Sequence, residues 1–197
     1  MNLTNVIINY RRYLKRRNYS QHTLKTYLNK LRQFVLWVDV PIEHVNYDKI
    51  IAYIDYLLDM RLRPETINCH LKSIRRFYSY LRDEKQIAIS NPVRTGCKLR
   101  TSQPLPKHLK DEEVLRFFEM IKSNRDRAMF MLMLRCGLRV EEVANLTLGA
   151  IDWRRSRLYV FNGKGQKDRV VYISRDTYGA LAAYIKQRLS LRVKKVF

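Results

Sequence analysis

Four apolar stripes, each at helical spacing and each following the last within a short interval, constrain the first half of this chain more than any other feature. They are Val6, Ile7, Tyr10 and Leu14; Leu24, Leu28, Leu31 and Val35; Ile50, Ile51, Ile54, Leu57 and Leu58; and Ile67, Leu71, Ile74, Tyr78 and Leu81. Recurrence near every 3.6 residues is what an amphipathic helix needs to bury one face. The start signals agree with the stripes. A first helix is expected from Thr4, Ser20 is placed to cap the second, Asn46 or Asp48 to open the third, and Pro64 to sit in the first turn of the fourth, where a missing N–H costs nothing. Four such helices can close on one another as a small bundle with its own core.

Between Ile89 and Leu109 the periodicity stops, and Pro92, Pro104 and Pro106 stand among Arg94, Lys98, Arg100 and Lys107. Prolines exclude a continuous helix, so the stretch reads as a basic linker, either a solvated tether or a segment that follows a phosphate backbone. Three divisions result: a helical domain over 1–88, a linker over 89–109, and a second domain over 110–197. In the last, Asp111 is expected to start a helix with Val114, Leu115, Phe118 and Ile121 inside. A second helix ending at Cys136 carries Met129, Phe130, Leu132, Met133 and Leu134, a run dense enough to predict burial on most sides. The period then changes to that of strands. Arg157 to Phe161 and Arg169 to Ile173 are rich in β-branched and aromatic residues, and the polar, glycine-bearing NGKGQKD between them predicts a β-hairpin. Ser174 or Asp176 caps a last helix with Leu181, Ala182, Ile185 and Leu189 along it. The fold class is therefore mainly α with a small β-hairpin or sheet, an α+β chain.

Charge narrows the partner. The 197 residues hold 39 Lys+Arg against 18 Asp+Glu, a formal net charge of +21, which concentrates polyanions at the surface. Residues 1–107 carry 20 basic and 8 acidic side chains and residues 108–197 carry 19 and 10, so the excess is no mere tail. Nucleic acid leads as partner. A cationic coat kept for solubility is the bland alternative, and acidic residues serve that purpose better. Cys69, Cys97 and Cys136 are odd in number and far apart, and His22, His44, His70 and His108 are scattered, so neither a disulfide framework nor a metal site is expected. No window approaches the ~18 consecutive apolar residues of a membrane span, and a cytoplasmic location is expected.

Two positions invite a phosphate. Gly137 ends one helix and Leu138, Val143 and Leu146 restart another, which puts Arg139 near the new first turn, where a cation opposes the helix dipole unless an anion balances it. That anion is Glu142 or an external phosphate. Lys164, between two glycines of the hairpin loop, is the second. A guanidinium can grip two non-bridging oxygens and an ammonium can reach a bridging one and supply a proton. Each residue also has a plain reading: Arg139 tying helices together through Glu142, Lys164 as a solvated turn lysine. GKGQK is no P-loop, since GxxxxGK[ST] is missing and its glycines lie between strands.

In order and context these motifs resemble the tyrosine recombinase and phage integrase family, Xer-like: YSQHTLKTYLNKLRQF and TINCHLKSIRRFYSYL of a core-binding domain, NPV at the linker, DEEV, and above all LRCGLRVEEVANL and GKGQKDRVVYI. The resemblance implies an N-terminal four-helix SAM-like core-binding domain and part of a tyrosine-recombinase catalytic domain. It implies that the two embrace duplex DNA, and that a tyrosine attacks the scissile phosphate to form a 3′-phosphotyrosyl link with no metal, ATP or other cofactor. By the same resemblance Arg139 is the first catalytic arginine, Glu142 the acidic residue after it, and Lys164 the lysine that protonates the leaving 5′ oxygen. Lys25, Lys72, Arg75, Arg76, Arg94, Lys98, Arg100, Lys107, Lys167 and Arg169 are the expected DNA-binding side chains.

Family members go on to an HxxR motif and a tyrosine nucleophile, and this sequence has neither. Three places after His22, His44, His70 and His108 stand Lys25, Tyr47, Ser73 and Asp111. Tyr178 and Tyr184, directly after the hairpin, lack a second cation cluster to activate a phenol of ordinary pKa about 10. A member shortened at its C-terminus, binding duplex DNA without breaking and rejoining it alone, is the first expectation. A regulatory or accessory binder at recombination sites, or a gene remnant, is the second. The third is a protein active only with residues supplied by another chain. Self-association or pairing with a full-length recombinase accompanies them, because Met129, Phe130, Met133 and Leu134 would leave apolar surface uncovered.

Overall fold

The computed structural model describes residues 3–161, 163, 167–188 and 195–197, and the chain divides into two compact units, 1–105 and 106–197. The first holds α1 (Leu3–Arg16), α2 (Gln21–Trp37), α3 (Tyr47–Asp59) and α4 (Pro64–Asp83). The Ser20 hydroxyl accepts from the Thr23 N–H at 3.2 Å, Asn46 Oδ1 from the Lys49 N–H at 3.0 Å, and Pro64 occupies the first turn of α4. Each cap satisfies a donor that the helix itself leaves orphaned.

Inside the bundle the sequence stripes are widened by aromatics. Tyr10, Leu14, Leu31, Phe34, Ile50, Tyr53, Ile67, Ile74, Phe77, Tyr78 and Leu81 are sealed from solvent. Phe77 meets Tyr10 edge-on at 5.2 Å, and Phe34 meets Tyr53 likewise at 5.0 Å, the offset that the ring quadrupoles favour. Tyr27, Phe34 and Tyr53 take core positions beside the aliphatic stripe, while Leu58, expected inside, lies exposed on α3. Burial requires partners for the polar ends: the Tyr78 hydroxyl donates to the Ile42 carbonyl at 2.8 Å, and the Tyr53 hydroxyl lies 2.9 Å from His70 Nδ1. Burial holds the His70 imidazole down to about 4, with Lys30 adding to the effect, so it stays neutral at pH 7.

The chain after α4 does not leave this unit at once. Pro92, Val93 and Cys97 are buried, and Asn68 brackets Leu99, donating to its carbonyl and accepting from its N–H, both at 2.9 Å. Asn91 Nδ2 donates to the Arg75 carbonyl at 2.9 Å, and the Arg75 guanidinium returns to the Val93 and Arg94 carbonyls at 3.2 and 2.6 Å. Residues 101–110 are exposed throughout.

The second unit comprises α5 (Asp111–Met120), α6 (Asn124–Cys136), α7 (Val140–Ala144), a three-stranded antiparallel sheet of β1 (Ile151–Asp152), β2 (Arg157–Val160) and β3 (Arg169–Tyr172), and α8 (Arg175–Arg188). The expected hairpin is β2–β3, paired Arg157 to Tyr172 through Val160 to Arg169, and β1 adds a third strand that its two residues could not signal. Leu158 and Val160 point inward and Val170 and Tyr172 outward, the two faces of one pleat. α6 packs on α8, and Ala128, Leu132 and Cys136 form its buried side.

α5 and α6 are less enclosed than their apolar residues predict. α6 is buried along one side only: Phe130 and Leu134 are exposed and Met129 and Met133 half-buried. On α5, Leu115 is exposed and Phe118 alone is buried, Val114 and Ile121 being intermediate. A continuous apolar run therefore overstated the enclosure, because α8 and the sheet supply cover from one direction. Val196 closes the core from the C-terminal end, its N–H donating to the Leu146 carbonyl at 2.7 Å, and Phe197 stacks on Tyr184. Leu189, placed on the last helical stripe, lies outside the described residues. Among the described residues no helix is long and apolar enough to cross a membrane.

Candidate phosphate site

Gly137 takes the left-handed conformation, φ 63°, that ends α6, and its N–H bonds to the Leu132 carbonyl. An L side chain there is strained, which is why glycine stands at this position. Two residues on, Arg139 is extended (φ −78°, ψ 155°) and serves as the N-cap of α7. An arginine has no oxygen with which to cap, so Glu142 does it in reverse: its Oε2 accepts the Arg139 N–H at 2.8 Å.

Glu142 is the centre of the arrangement. Its side chain is 7% exposed, against 57% for Arg139 and 34% for Arg169. Oε1 accepts from Arg139 Nη1 at 2.9 Å and from Arg169 Nη1 at 2.8 Å, and Oε2 accepts from Arg169 Nη2 at 2.7 Å as well as from the Arg139 backbone. The Arg169 guanidinium and these further donors hold the Glu142 carboxyl well below the usual range, at about 2. Arg169, first residue of β3, also reaches the Gly137 carbonyl at 3.5 Å. The base of the hairpin is thus tied to the turn that presents Arg139.

The loop is tied in as well. The Gly163 N–H donates to the Lys167 carbonyl at 3.2 Å, and a Cβ at Gly163 would lie 2.8 Å from that carbonyl, 3.1 Å from Arg169 Nη1 and 3.3 Å from Glu142 Oε1. Only a residue without a side chain fits. Lys164, the next residue, lies outside the described residues, but the backbone that leads into it is pressed against the Glu142–Arg169 pair. A Gly163→Ala chain is expected to keep the melting behaviour of the helical unit while its loop shifts. Resonances of Lys167, Arg169 and Glu142 should move in a proton–nitrogen spectrum, and an unchanged spectrum would contradict the tight packing.

The other sequence-derived candidates divide by what they touch. Lys25, Lys72, Arg94, Lys98, Arg100, Lys107 and Lys167 are exposed. Arg94, exposed as a residue, places its guanidinium over the Tyr47 ring at 4.4 Å. Arg75 is half-buried and spends hydrogen bonds on the Val93 and Arg94 carbonyls, and Arg76 is half-buried 5.7 Å from the Tyr19 ring centroid. Arg169 faces Glu142. These three have intramolecular work that their sequence positions did not announce. Tyr178 meets Trp153 edge-on at 5.0 Å and Tyr184 stacks on Phe197 at 5.2 Å, so both rings have packing roles.

An exposed arginine beside a carboxylate side chain that is 7% exposed and held well below its usual range, next to a β-hairpin and preceded in the chain by a helical unit, is the class of arrangement present here. Comparison with known proteins gives that class its family. The model described as "Phage integrase, N-terminal SAM-like domain" matches residues 7–85, and that of the "Phage integrase family" matches residues 107–196. The chain belongs to the phage integrase family, the tyrosine recombinases. It is 32% identical over 181 residues to tyrosine recombinase XerC of Thermodesulfovibrio yellowstonii, with 89% of this chain and 60% of that protein covered. To tyrosine recombinase XerD of Pseudomonas aeruginosa it is 29% identical over 176 residues, covering 85% of this chain and 58% of that one. The chain thus spans about 60% of the length of these curated relatives.

Among solved structures, a λ integrase dimer bound to a COC′ core site aligns with all of this chain and 70% of its own, at a TM-score of 0.76 and 18% identity. The Tn1549 transposon integrase in complex with transposon right end DNA aligns with 98% of this chain and 70% of its own, at 0.74 and 17%. At such identities the likeness is one of fold.

Proposed function

We propose that this chain binds duplex DNA, with Arg139 holding a backbone phosphate and Lys164, the residue after Gly163, as a further cation for it, and that the 197 residues alone do not break and rejoin strands. The observation that carries the reading is the asymmetric sharing of Glu142. Arg169 takes both carboxylate oxygens, whereas Arg139 gives up one guanidinium nitrogen and keeps more than half its side chain in solvent. Preplaced cations of this kind stabilise a phosphate without reorganising. Exposed Lys25, Lys72, Arg94, Lys98, Arg100, Lys107 and Lys167 supply further phosphate contacts, and the net charge of +21 supplies long-range attraction. Cleavage needs a second cation cluster and a nucleophile; the sequence holds no HxxR, and Tyr178 and Tyr184 pack against Trp153 and Phe197. No cofactor is called for, and a cytoplasmic location suits a partner of this chemistry.

Gel shifts on a duplex, followed by a denaturing gel, test the proposal. Retention that weakens steeply with salt and leaves no covalent protein–DNA adduct is expected; an adduct at any tyrosine overturns the second half of the reading, and no retention at low salt overturns the first.

A regulatory or accessory role, with a full-length relative or a second copy as partner, is favoured by one specific observation. Phe117 and Phe130 meet edge-on at 4.9 Å while both remain exposed, and Leu115, Met120 and Leu134 are exposed on the same two helices, α5 and α6. An aromatic pair of this kind in solvent marks a contact surface. Sedimentation across a hundredfold concentration range should show mass increasing with concentration, and Phe130→Lys should abolish the increase. A strictly monomeric wild type contradicts self-association.

A further inference from the structure

We infer that Arg169 is a positioning residue for Arg139: by gripping Glu142 through both of its oxygens, it keeps the charge of Arg139 available for a phosphate. The inference rests on the duplex-DNA reading above and assigns to Arg169 a part distinct from direct contact with DNA.

Charge counting gives the reason. Arg139 and Glu142 alone would form a closed pair, in which the carboxylate competes with an incoming phosphate for the same guanidinium. Adding Arg169 makes the cluster two cations around one anion. The hydrogen bonds are divided accordingly: Arg169 donates from Nη1 and Nη2 to separate oxygens at 2.8 and 2.7 Å, and Arg139 donates from Nη1 alone at 2.9 Å. When a phosphate draws Arg139 Nη1 away, Glu142 still has the bidentate guanidinium and the Arg139 backbone N–H at 2.8 Å. The carboxylate is left neither buried without a cation nor able to recapture Arg139 strongly. Without Arg169, release of Arg139 would strand a carboxylate that is 7% exposed, a cost paid out of phosphate affinity.

Geometry adds a second link. Arg169 sits where β3 begins, against Gly163 at the loop base and within 3.5 Å of the Gly137 carbonyl, so the same guanidinium fixes Glu142 as the cap of α7 and sets the turn from which Arg139 projects. A lysine there, a point charge without a planar fork, could neutralise Glu142 but not hold both of its oxygens.

A double-mutant cycle decides between action through Arg139 and direct contact. Affinities for one duplex are measured at fixed salt for the wild type, R139Q, R169Q and R139Q/R169Q, with thermal melts confirming that each variant folds. R169Q is expected to weaken binding by about five- to tenfold. In the R139Q background the same change should have little further effect, and R169K should restore only part of the loss. An equal loss from R169Q in both backgrounds, the signature of a direct phosphate contact or of bulk charge, overturns the inference, as does full affinity in R169Q. A wild type that fails to retain duplex at low salt sinks the DNA reading itself; the same cycle with inorganic pyrophosphate as probe then supports or overturns the role of Arg169 on identical criteria.

Discussion

Replacing Glu142 by alanine should cost the second unit about 2–3 kcal/mol, below the ~3–5 kcal/mol for breaking a fully buried ion pair because both guanidinium groups keep solvent contact. The substitution removes the acceptor of four hydrogen bonds and leaves Arg139 and Arg169 facing each other across the space it occupied. α7 also loses its cap. Chemical denaturation followed through Trp153, which lies against Tyr178 in the same unit, reads the loss, and a change below about 0.5 kcal/mol would mean that the cluster is held by its surroundings. The pH dependence carries a definite sign. The Glu142 carboxyl is held at about 2 when folded, against about 4.3 for an unconstrained glutamate, so its contribution is complete above pH ~4.3 and disappears as the pH falls through about 2. An E142Q chain should lack that portion of acid sensitivity.

Phe77→Ala is expected to have the largest effect in the first unit, about 3–5 kcal/mol. Phe77 is sealed from solvent and touches the rings of Tyr10, Tyr78 and Tyr80 at centroid distances of 5.2, 5.9 and 6.5 Å, so its removal opens a cavity bounded by three aromatic side chains on two helices. Rings cannot collapse into such a space as aliphatic chains do. Loss of the near-ultraviolet circular dichroism of the tyrosines at lower denaturant concentration measures the effect. A cost under about 1 kcal/mol would contradict the packing described for α1 and α4.

The four helices were legible because their aliphatic residues repeat at 3.6 and their caps are single, locally acting residues; Ser20, Asn46 and Pro64 need no distant partner to do their work. Tyr27 and Tyr53 were not, since a tyrosine on a helix reads equally as a half-exposed ring, and only the arrangement of neighbours decides. The same limit applied to the stretch after α4. Val93 and Leu99 are held to α4 by the side chains of Arg75 and Asn68, Asn91 donates to the Arg75 carbonyl, and Cys97 is buried in the same core; amide and guanidinium groups carry no periodic signal. On α6 the density of apolar residues was visible, but which of them lacked cover depended on what α8 and the sheet could reach. β1, two residues long, is defined by its pairing with β2 alone.

At the candidate site, spacing gave the neighbours Arg139 and Glu142, three positions apart and bridged by their side chains. It gave no hint that Arg169, 27 positions further on, shares the same carboxylate. A pairing across a β-hairpin depends on strand register, and one residue of slip would turn Arg169 to the opposite face. One signal was present and unused: from Arg154 to Arg169 the sequence holds six basic residues against one acidic, Asp168, and a carboxylate in a unit so rich in cations is expected to gather more than one of them. Gly163 carried its reason in the structure only, where a Cβ would strike the Lys167 carbonyl.

Whether Arg139 meets a DNA phosphate is tested most directly by the salt dependence of duplex binding. Affinity measured for the wild type and for R139Q between 50 and about 200 mM salt gives two lines on logarithmic axes, each slope counting the phosphates neutralised. If Arg139 holds a phosphate, R139Q binds more weakly at every salt concentration and its slope is shallower by about one. Superimposable lines would contradict it, because Arg139 would then be an arginine that ties helices together through Glu142 and meets no phosphate.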